Sequence, residues 1–317
     1  MTAEGVVPVR QLGRTGLRVP EICFGGAVLA GMPDLFGYDV PEERALETVR
    51  AVLRGPVGFL DTAAGYGGGR SERIIGAALA EVGGPPPGFL LSTKVTRDAD
   101  GGYGAAQVRR SLEGSLERLG LDRVPLLYLH DPEHIPFQEA MAPGGPVEEL
   151  VRIREEGLAE HIGVAGGPVG LMARYVATGA FEVLLTHNRW TLIDRSADQL
   201  IDAAHAAGLA VLNAAPFGGG ILAKGPERQA RYAYSEADQV VLERVREIDA
   251  ACRRHGVPLA AAAIQFSTRD PRVSSTVIGV TRPERVAETV ELSRWPIPEE
   301  LWPTLDALAA PADLWQY

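Results

Sequence analysis

Short apolar runs alternate with longer amphipathic runs along most of the chain, and this rhythm restricts the fold more than any other feature. Eight runs read as buried strands: Glu21–Gly25, Val57–Asp61, Phe89–Lys94, Leu126–His130, His161–Ala165, Phe181–His187, Ala210–Ala214 and Ser275–Gly279. They are short and apolar, several are rich in β-branched residues, and most close on Gly, Asp, Lys or His. Helical patterns follow them at Pro41–Leu53, Ser71–Ala80, Gln107–Leu119, Val147–Glu156, Pro168–Ala177, Ala197–Ala207, Ala237–His255, Pro258–Ser267 and Pro283–Leu292. Ser71 is read as a helix cap, with Ile74, Ile75, Ala78 and Leu79 on one face. Eight strand–helix units predict an α/β protein, a (β/α)8 barrel of the TIM type. An open doubly wound sheet is the alternative, because alternation alone does not show closure.

Val9–Leu12 and Leu17–Val19 flank Gly13-Arg14-Thr15-Gly16, which predicts an N-terminal β-hairpin before the first strand. Gly218–Glu236 reads as a long polar loop after the seventh. No Ser- or Gly-rich linker divides the 317 residues, so one domain over 1–317 is expected.

Charge narrows the partners. Lys plus Arg number 31 against 41 Asp plus Glu, a net charge of −10, which repels nucleic acid and anionic lipid. No apolar run approaches the roughly 20 residues that span a bilayer. The opening MTAEGVVPVR lacks the basic and apolar regions of a secretory signal. Cys23 and Cys252 read as buried free thiols in a reducing compartment, so a cytoplasmic protein without nucleic-acid or membrane partners is expected. Histidines 130, 134, 161, 187, 205 and 255 lack regular ligand spacing, and neither H-E-x-x-H nor paired C-x-x-C occurs, so no metal is expected. G-x-G-x-x-G and G-x-x-x-x-G-K-[ST] are also missing, which removes the main support for Rossmann and P-loop readings.

In a β/α barrel the chemistry lies at the carboxyl ends of the strands. Asp61, Lys94 and His130 end three consecutive strands, and Tyr66 lies in the loop after Asp61. Singly, a strand-end Asp caps a turn, a Lys is solvated, and a His or Tyr is structural. Together they converge on one mouth. A free Tyr titrates near 10, and a neighbouring ammonium favours its phenolate. Asp61 would pair with Lys94, Lys94 would lower Tyr66, and His130 would donate to the oxygen whose proton Tyr66 moves. Such a group transfers a proton at a carbonyl or alcohol oxygen and needs an external hydride carrier. The carboxyl pair Asp131 and Glu133 is a poor match for glycoside hydrolysis, which needs facing acids.

The last two loops offer a phosphate seat. Asn213-Ala-Ala-Pro-Phe-Gly-Gly-Gly follows the seventh strand, and Gly279-Val-Thr-Arg-Pro-Glu-Arg follows the eighth. Backbone amides of the glycines with Arg282 and Arg285 suit phosphate, as these barrel loops often do. Phe36, Tyr38, Trp190 and the tail Leu314-Trp315-Gln316-Tyr317 are candidates for the mouth wall, with Phe36, Trp190 and Trp315 singled out for substrate. Docking of the C-terminus on the barrel is the structural alternative for Trp315 and Tyr317.

Over nearly its whole length the sequence resembles the aldo-keto reductases. The carriers are RQLGRTGLRVPEICFGG, FLDTAAGYGGGRSERIIGAAL, STKV, LLYLHDPE, IREEGLAEHIGV, the Pro-Phe-Gly-Gly-Gly loop and IGVTRPERV. Within that family THNRWTLIDR, LHDPE and AAPFGGG look most like the bacterial branch of D-threo-aldose (L-fucose) 1-dehydrogenases and pyridoxal 4-dehydrogenases. The resemblance implies an NAD(P)-dependent oxidoreductase with Asp61, Tyr66, Lys94 and His130 as its catalytic tetrad. It implies cofactor contacts at Gly25, Gly26, His187, Phe217, Gly218, Gly219, Gly279, Thr281, Arg282, Arg285 and Glu288. NAD and NADP both remain open. Three departures stand out: Ala165-Gly166 replaces the Ser-Asn that holds the carboxamide, Ala214 replaces the stacking aromatic, and Thr289 replaces an Asn. Asn188 and Trp190 are the candidates to compensate.

The implied reaction is oxidation of an aldose at C1 to a lactone. Alternatives are pyridoxal 4-dehydrogenation, general aldehyde reduction, a non-enzymatic NADP-binding regulatory subunit of a channel, and a phosphate-binding isomerase.

Overall fold

The computed structural model describes residues 7–316. Its central strands are β1 (Ile22–Gly25), β2 (Phe59–Asp61), β3 (Leu90–Val95), β4 (Val124–His130), β5 (Ala159–Gly166), β6 (Val183–His187), β7 (Ala210–Ala214) and β8 (Ser275–Gly279). All are parallel and they close into a barrel. β8 pairs with β7 on one edge and with β1 on the other, placing Ile278 opposite Phe24 and Gly279 opposite Gly25. An open sheet would leave two free edges, and here every edge is paired.

The surrounding helices are α1 (Glu42–Arg54), α2 (Arg70–Val82), α3 (Ala105–Leu119), α4 (Pro146–Glu155), α5 (Val169–Ala177), α6 (Asp198–Ala206), α7 (Gln239–Arg254), α8 (Leu259–Thr268) and α9 (Glu284–Ser293). Their apolar residues recur at helical spacing; α1, for example, buries Ala45, Val49 and Val52. α8 is buried on nearly every side because α7 and α9 both pack against it.

Alternation along the strands separates two apolar layers. In β4, Leu126 and Tyr128 belong to the barrel interior, while Leu127 and Leu129 belong to the layer under the helices. The N-terminal hairpin, Val9–Gln11 against Arg18–Pro20, contributes fully buried Leu12 and Val19 to that interior. Gly13, at φ +53°, lies so close to β7 that a Cβ would fall 2.3 Å from the Ala210 nitrogen. Arg14 also donates to the Phe181 carbonyl at 2.8 Å. The hairpin therefore seals one end of the barrel and leaves the carboxyl ends of the strands open.

Two local expectations need correcting. Ser71 does not cap α2: Gly69 occupies that position at φ 84°. Ser71 is buried one turn further in, donating to the Gly26 carbonyl at 3.0 Å and sharing a hydrogen bond with Thr62. The stretch Gly218–Glu236 is not a plain loop. It contains a helical turn, Ile221–Lys224, and a small hairpin of Arg231–Tyr232 against Ser235–Glu236. Cys23 and Cys252 are both buried and free. Among the described residues no helix is long and apolar enough to cross a membrane.

Candidate active site

Register brings the first three strand-end residues together. Gly25 lies opposite Asp61, and Asp61 opposite Ser92, so Asp61 faces the end of β3. The Lys94 ammonium, 1% exposed, is tied three ways. It donates to Asp61 Oδ2 at 2.5 Å, to the Thr62 carbonyl at 2.7 Å and to the Tyr66 hydroxyl at 3.1 Å. Ser92 Oγ donates to the other Asp61 oxygen at 2.7 Å.

Tyr66 is presented by a turn fixed to β3, where the Ala64 N–H donates to the Lys94 carbonyl at 3.1 Å. The chain then runs into α2 through three glycines with positive φ. At Gly67 a Cβ would sit 2.2 Å from the Ala30 carbonyl oxygen, so no larger residue fits. The His130 ring meets Tyr66 edge-on, with centroids 5.5 Å apart. Tyr103 anchors this end of β4, its hydroxyl accepting from the His130 N–H at 2.8 Å and donating to the His130 carbonyl at 2.6 Å.

Electrostatics modify the expected chemistry. Burial pulls the Lys94 pKa down, but the Asp61 carboxylate and Tyr66 oxygen more than reverse this, so it stays a cation. Burial raises Tyr66 to about 12, and the opposing Lys94 charge recovers only part of that rise. The simple expectation of a net lowering fails because desolvation of the phenolate is the larger effect. Burial lowers His130 to about 4, against the attraction of Asp131, so its imidazole is neutral near pH 7.

These residues line a cavity of about 690 Å³, a size typical of small-molecule and cofactor sites. Phe36, Tyr38, Tyr234, Asp131 and Arg97 share its wall. So do Gly25, His187, Phe217, Gly219, Gly279, Thr281 and Arg285, together with Gly220 and Lys224. Gly219 and Gly220 have φ of +81° and +103°, which leaves backbone uncovered by side chains. A Cβ at Gly279 would press on Val28 at 3.0 Å. Lys224 is held down by burial and then by the nearby Arg285 and Arg228. Its ammonium lies 5.2 Å from the centre of the Tyr38 ring, and Arg285 pairs with Glu288 at 3.2 Å. A cationic, glycine-lined wall of this kind suits a phosphate-bearing ligand.

Over this geometry, the model of the Aldo/keto reductase family matches residues 21–310. The chain belongs to the aldo/keto reductase family. It is 31% identical to D-threo-aldose 1-dehydrogenase of a Pseudomonas species, over 92% of this chain and 94% of that protein. It is 29% identical to pyridoxal 4-dehydrogenase of Microbacterium luteolum, over 93% and 96%. The fold matches that of the holo form of the aldo-keto reductase AKR11C1 from Bacillus halodurans, with a TM-score of 0.79, 21% identity and 98% coverage of both chains. This aldo/keto reductase is accordingly an NAD(P)-dependent oxidoreductase acting on a small molecule.

Not every residue singled out from the sequence reaches the cavity. Gly26 and Gly218 are buried behind the wall, Gly218 against the Tyr232 ring. Arg282 is exposed outside the cavity wall, and Glu288 reaches the site through Arg285. Trp190 is also absent from the wall: the loop after β6 turns back on itself and stacks it near Phe266, at 5.2 Å. Trp315 donates to the Ala310 carbonyl at 2.8 Å, and the Gln316 N–H donates to Asp194 at 2.6 Å, so this part of the tail docks on the barrel. Tyr317 lies outside the described residues.

The structure gives a cause for one departure from the family pattern, at Gly166. A Cβ at Gly166 would lie 2.8 Å from Met172 Sδ and 2.9 Å from Pro132 Cδ, leaving no room for Asn. His187 lines the cavity instead, and Asn188, held at φ 59°, meets its Nδ1 at 3.2 Å. Burial, with Arg189 adding to it, lowers His187 to about 4. A neutral ring accepting at Nδ1 carries its proton on Nε2. Sequence reasoning missed Tyr234, Lys224, Arg97 and Tyr103. Tyr234 lies edge-on to Phe36 at 6.0 Å and tilted against the His187 ring at 6.3 Å.

Proposed function

We propose that this aldo/keto reductase oxidises an aldose at C1 to the lactone, with Tyr66 moving the proton at the reacting oxygen. The observation that carries the reading is the Asp61–Lys94–Tyr66 hydrogen-bond chain ending in a cavity beside His130. The donor set fits a dinucleotide. Gly219, Gly220, Lys224, Thr281 and Arg285 would hold its phosphates, and His187 its carboxamide. When bound, the nicotinamide supplies the hydride acceptor in oxidation and the donor in reduction.

In oxidation Tyr66, once ionised against its raised pKa, takes the hydroxyl proton of the sugar as a phenolate. Lys94 remains an ammonium throughout, fixed by Asp61 and the Thr62 carbonyl, and steadies the phenolate. His130, neutral because buried, donates an N–H to the same oxygen and fixes its position. In reduction Tyr66 returns its proton to the carbonyl oxygen, a task suited to a phenol that burial keeps protonated at neutral pH.

The names of the relatives support a sugar or a pyridine aldehyde as substrate. Asp131 and Arg97 on the cavity wall, one a hydrogen-bond acceptor and the other a donor, favour the polyhydroxylated of the two. The test is to offer NAD and NADP separately with L-fucose, D-arabinose, pyridoxal and simple aldehydes while following nicotinamide absorbance. Aldose-dependent reduction of one nucleotide is expected. Nucleotide binding without turnover of any compound would instead support a regulatory subunit, and turnover of pyridoxal alone would replace the sugar.

A further inference from the structure

We infer that Asp131 reads a hydroxyl on the carbon next to the reacting one, and so sets the site's preference for 2-hydroxylated substrates. The inference rests on the proposed reaction at the Tyr66 oxygen. Asp131 follows His130 directly and has φ 44° and ψ 58°, a left-handed conformation that few residues other than Gly adopt. Its N–H donates to the Ala165 carbonyl at 2.7 Å, which pins the turn. The turn brings the carboxylate to the cavity wall, with Oδ1 3.7 Å from His130 Nε2.

Beyond that contact, among the described residues no donor hydrogen-bonds either carboxylate oxygen. Arg97, exposed on the same wall, likewise has no hydrogen-bond or ion-pair partner among the described residues. A carboxylate only accepts hydrogen bonds, so its complement is a donor such as a hydroxyl. Oxygens on neighbouring carbons lie about one hydrogen-bond length apart. If His130 Nε2 contacts the reacting oxygen, the adjacent hydroxyl is the one that falls within reach of Asp131. The Asp131 side chain is 40% exposed in the open cavity; a bound deoxy substrate would cover it without offering a donor, which disfavours that analogue. Arg97 faces the opposite need, donating to hydroxyls further along the chain. An alkyl aldehyde uses neither group.

The experiment compares kcat/KM for an aldose and its 2-deoxy analogue in the wild type, Asp131→Asn and Asp131→Gly. Both substituents accept the left-handed backbone, so the turn survives the change. Nucleotide binding, followed by fluorescence, should be unchanged in both. The wild type is expected to favour the 2-hydroxy sugar by about 10- to 100-fold. Asp131→Gly should lose that preference by slowing the aldose alone, with Asp131→Asn between the two. No preference in the wild type, an unchanged preference in Asp131→Gly, or an equal loss on both sugars would overturn the inference. The equal loss would mean that Asp131 acts only through the field at His130. Each of these results leaves aldose oxidation intact, whereas absence of aldose turnover in the wild type removes the reaction and the inference together.

Discussion

Lys94→Met separates what the ammonium does for the fold from what it does for the chemistry. Lys94 and Asp61 are 1% and 5% exposed at their side chains, and 2.5 Å apart. Methionine fills most of the lysine's space but leaves the Asp61 carboxylate inside the barrel with Ser92 Oγ as its remaining side-chain donor. Stranding one member of a buried ion pair costs about 3–5 kcal/mol. With unfolding entropy of about 2.1 cal/mol/K per residue over 317 residues, Tm should fall by about 4–8 °C. Tyr66 also loses the charge that opposes its burial, so its pKa rises further. The expected loss in kcat is about 100- to 10,000-fold, the usual span for general acid–base assistance. Adding Asp61→Asn removes the stranded charge, so the double variant should regain most of the Tm and none of the activity. Calorimetry and nicotinamide absorbance read the two effects. An unchanged Tm in Lys94→Met, or activity recovered in the double variant, would refute the reasoning.

Acid should destabilise the fold between about pH 6.5 and 4. Unfolded imidazoles protonate near 6.5, whereas His130 and His187 wait until about 4, so the unfolded state binds more protons and stability falls with pH. His130→Gln should remove about 3 kcal/mol of that loss, read from urea midpoints at pH 7 and pH 4. Lys224→Ala should weaken nucleotide binding by about tenfold and flatten its salt dependence, since among the described residues no carboxylate pairs with the cation; unchanged titrations would move the phosphate seat elsewhere. Trp190→Leu should lower Tm while leaving KM for the sugar unchanged, because its ring packs near Phe266 and not on the cavity wall.

The barrel was legible because each strand is a short apolar run that ends on a small or charged residue, and those endings mark the mouth. Asp61, Lys94 and His130 were found this way, from position alone. Closure was not legible, since it depends on β8 pairing with β1 across the full length of the chain. Tyr234 escaped notice because its hairpin strands are two residues each, too short for any periodicity. Trp190 misled for a different reason. It follows β6 closely enough to belong to the mouth, but the turn through left-handed Asn188 carries it away. The sign of the Tyr66 shift depends on burial, which sequence does not specify for a residue in a glycine-rich loop.

The proton-transfer role of Tyr66 is tested most directly by Tyr66→Phe, which removes one oxygen and keeps the ring beside His130. Nucleotide affinity should match the wild type, while aldose-dependent nicotinamide reduction should fall by about 100-fold or more. Turnover at the wild-type rate with nucleotide bound would contradict the assignment.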